Sequence, residues 1–513
     1  MKIRLVQFNP VAGDVRRNAE GIAAAARDAA AAGVDAVVFP EGALGGFPLG
    51  DLARRDAFLE AVQAELARLK EMLPPETVVV FGTPLRTQEG MRNAAVAYRG
   101  GQGPEVICTE HGAGGCGVLK VGQSPWWVCL DSNQAGDGSD VVVKLAARPW
   151  LRGGKGGIEA EAVADAKKNK VPVLYANLSG GQDDLVFGGD VGAVGADGTV
   201  RARGTLFGEG TLDVEIAPDG SVSGPIAPEP DELEAVYTAL RTGIRDYALK
   251  NRFPGALIAL SGGIDSALVA ALAVDALGPE RVMGVTLPST VTSSETLDDA
   301  LELARRLGIP CLRIPIAPAV EAVTGMLEPA FASVDWAKPL PGTLVEENLQ
   351  ARVRGVVTMA LSNRYGHLVL STGNKSESST GYATLYGDMC GGYAPIKDVP
   401  KTLVFALARW RNRRGEVIPP STIERPPSAE LRPGQKDTDS LPPYDVLDPI
   451  LERFMAGRGS VADLVASGVP EDTARRVARL VVRSEYKRRQ AAPGVTLSPD
   501  AWRMPITDGF GAW

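Results

Sequence analysis

Residues 259–266 read Ala-Leu-Ser-Gly-Gly-Ile-Asp-Ser and join an apolar run from Gly255 to Leu260 to a second one from Ala267 to Leu277. Strand, tight turn and helix are the elements that pattern predicts, and they commit the surrounding chain to an α/β arrangement. Ser261, Gly262 and Gly263 remove side-chain bulk where backbone N–H groups must approach a ligand, and the helix that follows directs its positive end at the same spot. A phosphate-sized anion fits such a turn. The alternative is an ordinary strand-to-helix turn in which Asp265 and Ser266 cap the helix.

The Walker A loop does the same work with a lysine at fixed spacing, GxxxxGK[ST], and no such run occurs in this chain. The SGGxDS form resembles instead the PP-loop of ATP pyrophosphatases, whose chemistry separates AMP from pyrophosphate. That resemblance makes Ser261, Gly262, Gly263, Asp265 and Ser266 ATP-binding residues and places Asp265 to hold magnesium against the phosphates.

Beyond the turn, Val282 to Leu287 and Cys311 to Ile316 read as strands, and Ser293 to Leu307 reads as a helix whose start is marked by Ser294, Thr296 and acidic residues. Adenosine is expected along the ends of these strands, the ligand crevice of an open α/β sheet. Residues 346–366 form a predicted helix carrying Arg352 and Arg354, which lie two apart and so do not share a face. They serve different phosphates or simply solvate the helix. The strand from Leu368 leads through a polar turn to Glu377, either a second magnesium carboxylate beside Asp265 or a capping-box acid.

The runs 381–388 (GYATLYGD), 395–401 (PIKDVPK), 427–435 (PSAELRPGQ) and 439–445 (DSLPPYD) follow in that order. Together with SGGIDS they closely resemble the synthetase domain of glutamine-dependent NAD synthetases, across residues 232 to 490. Five ordered runs at matching spacing are far more specific than any one of them. By that resemblance Thr372 contacts ATP, Lys401 stabilises charge at the reacting phosphorus, and Ser428 belongs to a mobile loop near the phosphates. Asp388 is similar to the residue that recognises the dinucleotide or helps activate ammonia, and residues 426–443 fold over the bound substrate.

The first half alternates strand and helix as well: strands at 3–8, 36–39 and 77–81, with helices at 19–32 and 54–72 between them. The stretches MKIRLVQFNPVAGD, VVFPEGALGGFPLGDL, VVVFGTPL and NAAVAY resemble the start of a nitrilase-type amidase domain. Such amidases hydrolyse an amide with a glutamate, a lysine and a cysteine, and Glu41 falls on the glutamate position. Between Gly100 and Gly138 the pattern departs: the family's lysine followed by Leu-Pro has no counterpart, and the segment is short.

Cys129 stands for the nucleophile or is a buried small hydrophobe; Leu130-Asp131 follows it where the family has Glu-Asp, and Lys120 is the nearest lysine. Cys108 is a second candidate that lies too soon after Asn93 for the family spacing. Divergence with loss of amidase activity and a local reading-frame error both account for this segment, and recovery of its peptides by mass spectrometry separates them. The pattern returns at 171–176, 180–187 and 196–198, with Arg148 placed to fill part of the glutamine pocket.

A chain of 513 residues exceeds one hydrophobic core. The expected division is an amidase-like domain over 1–222, a Pro-rich linker over 223–231 and a synthetase domain over 232–513. The fold class expected is α/β, a nitrilase-like αββα sandwich followed by a PP-loop doubly wound parallel sheet. A net charge of −8 argues against nucleic acid as a partner. The absence of a leader before Met1 to Phe8, or of an apolar run of about 18 residues, argues against a membrane and for the cytoplasm.

Five cysteines without a CxxC pair disfavour a disulfide framework and a zinc ribbon, and two histidines leave little for a Ser-His-Asp enzyme. The resemblance then implies Mg²⁺-dependent amidation of nicotinic acid adenine dinucleotide (deamido-NAD), with ATP as co-substrate. It also implies ammonia released from glutamine in the first domain, and a homo-oligomer built on a synthetase-domain dimer. An ammonia-only synthetase with a degenerate first domain, and a non-catalytic nucleotide-binding regulator, are the alternatives.

Overall fold

A computed structural model describes residues 1–110, 115–130, 138–154, 157–335, 337–338, 343–455 and 459–499. The chain divides into two compact units, Met1–Thr242 and Gly243–Trp513.

In the first unit the strands are β1 (Lys2–Gln7), β2 (Ala36–Val38), β3 (Val78–Thr87), β4 (Gly90–Arg99), β5 (Gln102–Thr109), β6 (Gly115–Val121), β7 (Ser124–Leu130) and β8 (Val141–Ala146). They are followed by β9 (Val173–Asn177), β10 (Ser179–Gln182), β11 (Leu185–Gly188), β12 (Val191–Val194), β13 (Val200–Arg203), β14 (Gly210–Ile216) and β15 (Val222–Ser223). One large sheet runs β15-β14-β1-β2-β3-β4-β5 and the other β13-β12-β9-β8-β7-β6, while β10 and β11 pair as a separate two-stranded sheet. Strand alternation assigns the faces. Ile3, Leu5, Val80, Ala95 and Ala97 meet Trp126, Val128 and Leu130 of the other sheet, while Val6, Val79, Phe81 and Val96 turn outward.

Helices α1 (Val15–Ala31) and α2 (Asp56–Met72) cover the outer face of the first sheet, and α3 (Ile158–Asn169) covers that of the second. The result is the expected αββα sandwich. Each fully buried Ile, Leu, Val or Phe in these layers contributes about 1.5–3 kcal/mol.

Helix α4 (Glu232–Lys250) leads into the second unit, whose sheet has β16 (Ala256–Ala259), β17 (Val282–Thr286), β18 (Cys311–Arg313) and β19 (Leu368–Val369). All its pairings are parallel and the order is β18-β17-β16-β19. Consecutive strands run outward to one side of β16, and the chain then crosses to the other side. The loop after β16 therefore opens at the switch point, where doubly wound sheets bind ligands.

The remaining helices that bear on the site are α5 (Ile264–Leu277), α6 (Ser294–Leu307), α7 (Ala317–Ser333), α8 (Leu344–Tyr365), α9 (Lys375–Thr380), α10 (Lys401–Asn412), α11 (Pro420–Glu424) and α12 (Tyr444–Met455). Residues 267–273 of α5 are buried in an unbroken run. That matches a helix enclosed on all sides, which gives its N-terminus a fixed position. A bidentate ion pair from Arg411 of α10 to Asp275 of α5, at 2.6 and 3.0 Å, ties the two helices together. Among the described residues no helix is long and apolar enough to cross a membrane.

Candidate active site

Helix α5 begins at Gly263 without a side-chain cap, so Asp265 and Ser266 do not cap it in the usual manner. Ser266 instead ties the turn internally. Its hydroxyl donates to the Gly263 carbonyl at 3.0 Å, lies 3.1 Å from the Ser261 hydroxyl, and accepts the Ser261 N–H at 3.3 Å. Gly262 holds φ +81°, and a Cβ there would stand 2.1 Å from the Thr296 carbonyl oxygen. The turn is therefore built from backbone packed against the start of α6, with the helix end facing a cavity of about 540 Å³.

Asp265 leaves the first turn of α5 toward α9 and α10. Its Oδ1 accepts from Asn374 Nδ2 at 2.9 Å and its Oδ2 from Lys401 Nζ at 2.5 Å. Glu377 is the capping-box acid of α9, and its second carboxylate oxygen is left to face Lys401. Its backbone N–H donates to Asn374 Oδ1 at 3.0 Å and its Oε2 accepts the Asn374 N–H in a capping box, while its Oε1 accepts from Lys401 Nζ at 3.1 Å. Two carboxylates from segments over a hundred residues apart thus converge on one ammonium, at the edge of the cavity that SGGIDS lines.

Lys401 opens α10 and is 2 % exposed, with the Tyr444 ring 5.4 Å from its Nζ. Burial works against its charge, but Asp265 and Glu377 together hold its pKa above that of a free lysine. Burial pushes the Glu377 carboxyl up to about 8; Lys401 pulls the other way, and Asp265 and Asp437 add to the rise. Asp437 is a third carboxylate, which the sequence reading missed because it falls in the gap between the runs ending at Gln435 and starting at Asp439. It is 4 % exposed, its Oδ2 accepts from the Tyr444 hydroxyl at 2.7 Å, and its Oδ1 is buried without a hydrogen-bond partner.

Thr372, Ser428, Arg352, Arg354 and Asp388 line the same cavity. The two arginines diverge: Arg352 Nε reaches the Leu385 carbonyl at 3.3 Å, and Arg354 Nε reaches the Leu287 carbonyl at 3.1 Å. Burial holds the Arg354 pKa below the usual guanidinium value. Asp388 Oδ1 accepts the Thr384 N–H at 2.6 Å, which closes the GYATLYGD turn. Ser428 accepts the Glu430 N–H at 3.1 Å, and Glu430 reaches across to Thr296 Oγ1 at 2.7 Å, pinning the 426–443 loop to the start of α6.

The sequence pattern of the NAD synthase family matches residues 236–491. A glutamine-dependent NAD(+) synthetase of Synechocystis is 39 % identical over 99 % of this chain and 99 % of its own length. The chain belongs to the glutamine-dependent NAD(+) synthetases. It is a carbon–nitrogen ligase of that family. The Xanthomonas campestris relative is 40 % identical over 99 % of this chain and 98 % of its own length. A solved synthetase from Acinetobacter baumannii, in complex with ADP, superposes with a TM-score of 0.77 at 35 % identity, covering 100 % of this chain and 99 % of that one. The match to the Synechocystis protein runs over 556 positions while this synthetase has 513 residues, so the relative carries residues that this chain lacks.

In the synthetase's first unit the three expected amidase residues do not come together. Glu41 follows β2, is 7 % exposed, and its Oε1 accepts from Asn93 Nδ2 at 2.9 Å, which also donates to Glu110 Oε2 at 3.1 Å. Cys129 is fully buried on the other sheet. Trp126, Val128 and Leu130 take the face toward the first sheet, so alternation turns Cys129 outward against Ile158 and Ala162 of α3.

Contact with the Cys116 thiol and burial both hold the Cys129 proton in place, pushing its pKa well above that of a free thiol. Lys120 is exposed on the edge strand β6, opposite Pro125, four places along the strand from the residue that pairs with Cys129. The lysine beside Cys129 in register is Lys144, which no sequence motif marked. It is 3 % exposed, and its Nζ lies 2.6 Å from Asp165 and 3.5 Å from Glu161 of α3. Arg148, expected in a glutamine pocket, pairs with Glu161 on the same helix. Cys108 lies in the core between the sheets, where burial pushes its thiol up to about 11.

Proposed function

We propose that the protein converts deamido-NAD to NAD in its second unit by forming the acyl-adenylate of the pyridine carboxylate with ATP, which an ammonia equivalent then attacks to release AMP. The reading rests above all on the convergence of Asp265 and Glu377 on Lys401 beside the SGGIDS turn.

The donor set fits Mg²⁺, which takes one or two carboxylates and draws its other oxygens from phosphate and water. Among the described residues no group of three His, Cys, Asp or Glu is arranged to hold a metal, so an all-protein cage is not what these residues offer. Asp265 and Glu377 would hold the ion, and Asp437 offers an unpartnered Oδ1 beside them. When bound, Mg²⁺ neutralises phosphate charge that otherwise repels the carboxylate.

The uncapped start of α5 receives phosphate oxygens, and Lys401 carries positive charge to the reacting phosphorus. Arg352 and Arg354 reach the cavity from diverging directions and suit separate phosphates, while Asp388 and the 426–443 loop bound the side assigned to the dinucleotide. Helices α7 and α8 expose Met326, Phe331, Val356 and Met359, which supports an oligomer formed through the synthetase unit.

Family membership makes glutamine the nitrogen source. The orientation of Cys129 against α3 favours a second reading, in which ammonia enters directly and the first unit serves as a scaffold. One assay tests both: purified protein with Mg-ATP and deamido-NAD, supplied with glutamine or with ammonium, while NAD and AMP are followed. NAD is expected from ammonium in the parent and in Cys129→Ala alike. A glutamine-driven rate lost selectively in Cys129→Ala returns that residue to the role of nucleophile and removes the second reading. If neither nitrogen source yields AMP, the adenylation chemistry is wrong.

A further inference from the structure

Strand β6 opens with Gly115-Cys116-Gly117, and both glycines are required by what faces them. A Cβ at Gly115 would stand 2.1 Å from the Thr109 carbonyl oxygen, and one at Gly117 would stand 2.1 Å from that of Ile107. The glycine face of the strand is pressed against β5, so alternation sends Cys116 to the opposite face. Cys129 has been turned to that same outer face by Trp126, Val128 and Leu130 on its own strand. Two independent packing constraints, one on each strand, therefore bring the cysteines together.

The antiparallel register sets Cys116 directly opposite Cys129, and their Sγ atoms lie 2.8 Å apart with no disulfide joining them. Opposed residues in an antiparallel pair have Cα atoms about 4.5–5.5 Å apart, inside the range of about 4.4–6.8 Å that disulfides span. Closing the bond asks the sulfurs to move less than about 1 Å, to roughly 2.05 Å. Cys116 is partly exposed and Cys129 is not, which sets the order of reaction. Lys144 pairs in register with Cys129 from β8, so the thiolate that must form second has a cation nearby.

We propose that Cys116 and Cys129 are an oxidisable dithiol, converted by a low-molecular-weight disulfide into a cross-strand disulfide that joins β6 to β7. The Cys116 thiolate attacks one sulfur of the small disulfide and expels the other as a thiolate, leaving a mixed disulfide on Cys116. Cys129 then attacks the Cys116 sulfur and expels the second small thiolate. The two protein thiols have lost two protons and two electrons, and the small disulfide has become two thiols. Burial holds the Cys129 proton, so the second step is the slow one. The inference concerns the first unit and stands independently of the adenylation chemistry.

The test uses the full-length chain, reduced, desalted and incubated with oxidised glutathione, then quenched with an alkylating reagent under denaturing conditions and digested. The expected product is a peptide pair linked through Cys116 and Cys129, lighter by two hydrogens than the reduced pair and separated again by reductant. Cys311→Ser should form it as the parent does, and Cys116→Ser should not, with circular dichroism confirming that both variants are folded. Three results overturn the proposal: full alkylation of both cysteines after oxidation, a glutathione adduct on Cys116 that never resolves, or a link from Cys129 to Cys108.

Discussion

Replacing Lys401 by methionine is expected to lower kcat for ammonium-driven NAD formation by about 10²–10³-fold, the loss seen when one preorganised charge partner is removed from a reacting oxyanion. Methionine keeps much of the lysine stem and so isolates the ammonium. In the parent that ammonium lies 2.5 Å from Asp265 and 3.1 Å from Glu377, with Asp437 contributing to its charge field. Without it, carboxylates that are largely buried face one another with no protein cation between them. Breaking such a pair costs about 3–5 kcal/mol, so a lower unfolding midpoint is also expected.

Stability and catalysis part on adding Mg-ATP. If Asp265 and Glu377 hold a divalent ion as proposed, that ion would take over the neutralisation that Lys401 performed, so Mg-ATP should raise the variant's unfolding midpoint more than the parent's. It should not restore turnover, because the charge at the reacting phosphorus is still missing. Steady-state kinetics at saturating ATP and thermal unfolding with and without Mg-ATP read the two effects separately. A kcat within about tenfold of the parent would leave Lys401 with a structural role only.

The parts of this site that were legible in advance are those carried by contiguous residues. SGGIDS between two apolar runs announces a strand, a turn and a helix, and the structure puts that turn at the point where the sheet order reverses. Glu377 reads as a capping acid or as a ligand from sequence; one of its carboxylate oxygens closes the capping box and the other accepts from Lys401. Asn374 could not be found this way. Its bond to Asp265 spans 109 residues, and no local pattern reports a partner that far off. Asp437 was hidden for a related reason, since its neighbours Tyr444 and Lys401 reach it only once the 426–443 loop has folded back.

In the first unit the αββα layering follows from strand and helix periodicity, but the face on which a cysteine sits does not. The run Trp126-Trp127-Val128-Cys129-Leu130 is apolar at every position, because one side meets a second sheet and the other meets α3. Alternation then cannot say which side is which. Resemblance selected Cys129 for its place in the order of motifs, while packing put it with Cys116 and Lys144, away from the sheet that carries Glu41.

Gly262→Ala is expected to be a severely damaging single-methyl change, and Gly263→Ala a mild one. At Gly262 the backbone is left-handed, φ +81°, where alanine costs about 1–2 kcal/mol before any contact is considered. The added Cβ then meets the Thr296 carbonyl oxygen at 2.1 Å and Thr296 Cγ2 at 2.6 Å, and a backbone carbonyl cannot swing aside as a side chain can. The start of α6 must move, and with it the Thr296 hydroxyl that holds Glu430 on the 426–443 loop at 2.7 Å. At Gly263 the backbone is extended, φ −84°, and the nearest atom to a new Cβ is the Ser261 hydroxyl at 3.3 Å.

The pair thus separates support of the turn from approach to it. Gly262→Ala should cost about 3–5 kcal/mol of stability and weaken ATP binding at least about tenfold, because the turn and the loop that meets it are displaced together. Gly263→Ala should stay within about 1 kcal/mol in stability, and any loss of ATP affinity there reports crowding of the phosphate approach alone. Denaturant unfolding and ATP titration by calorimetry give the four values. Equal stability for the two variants would mean that the turn is not braced by Thr296.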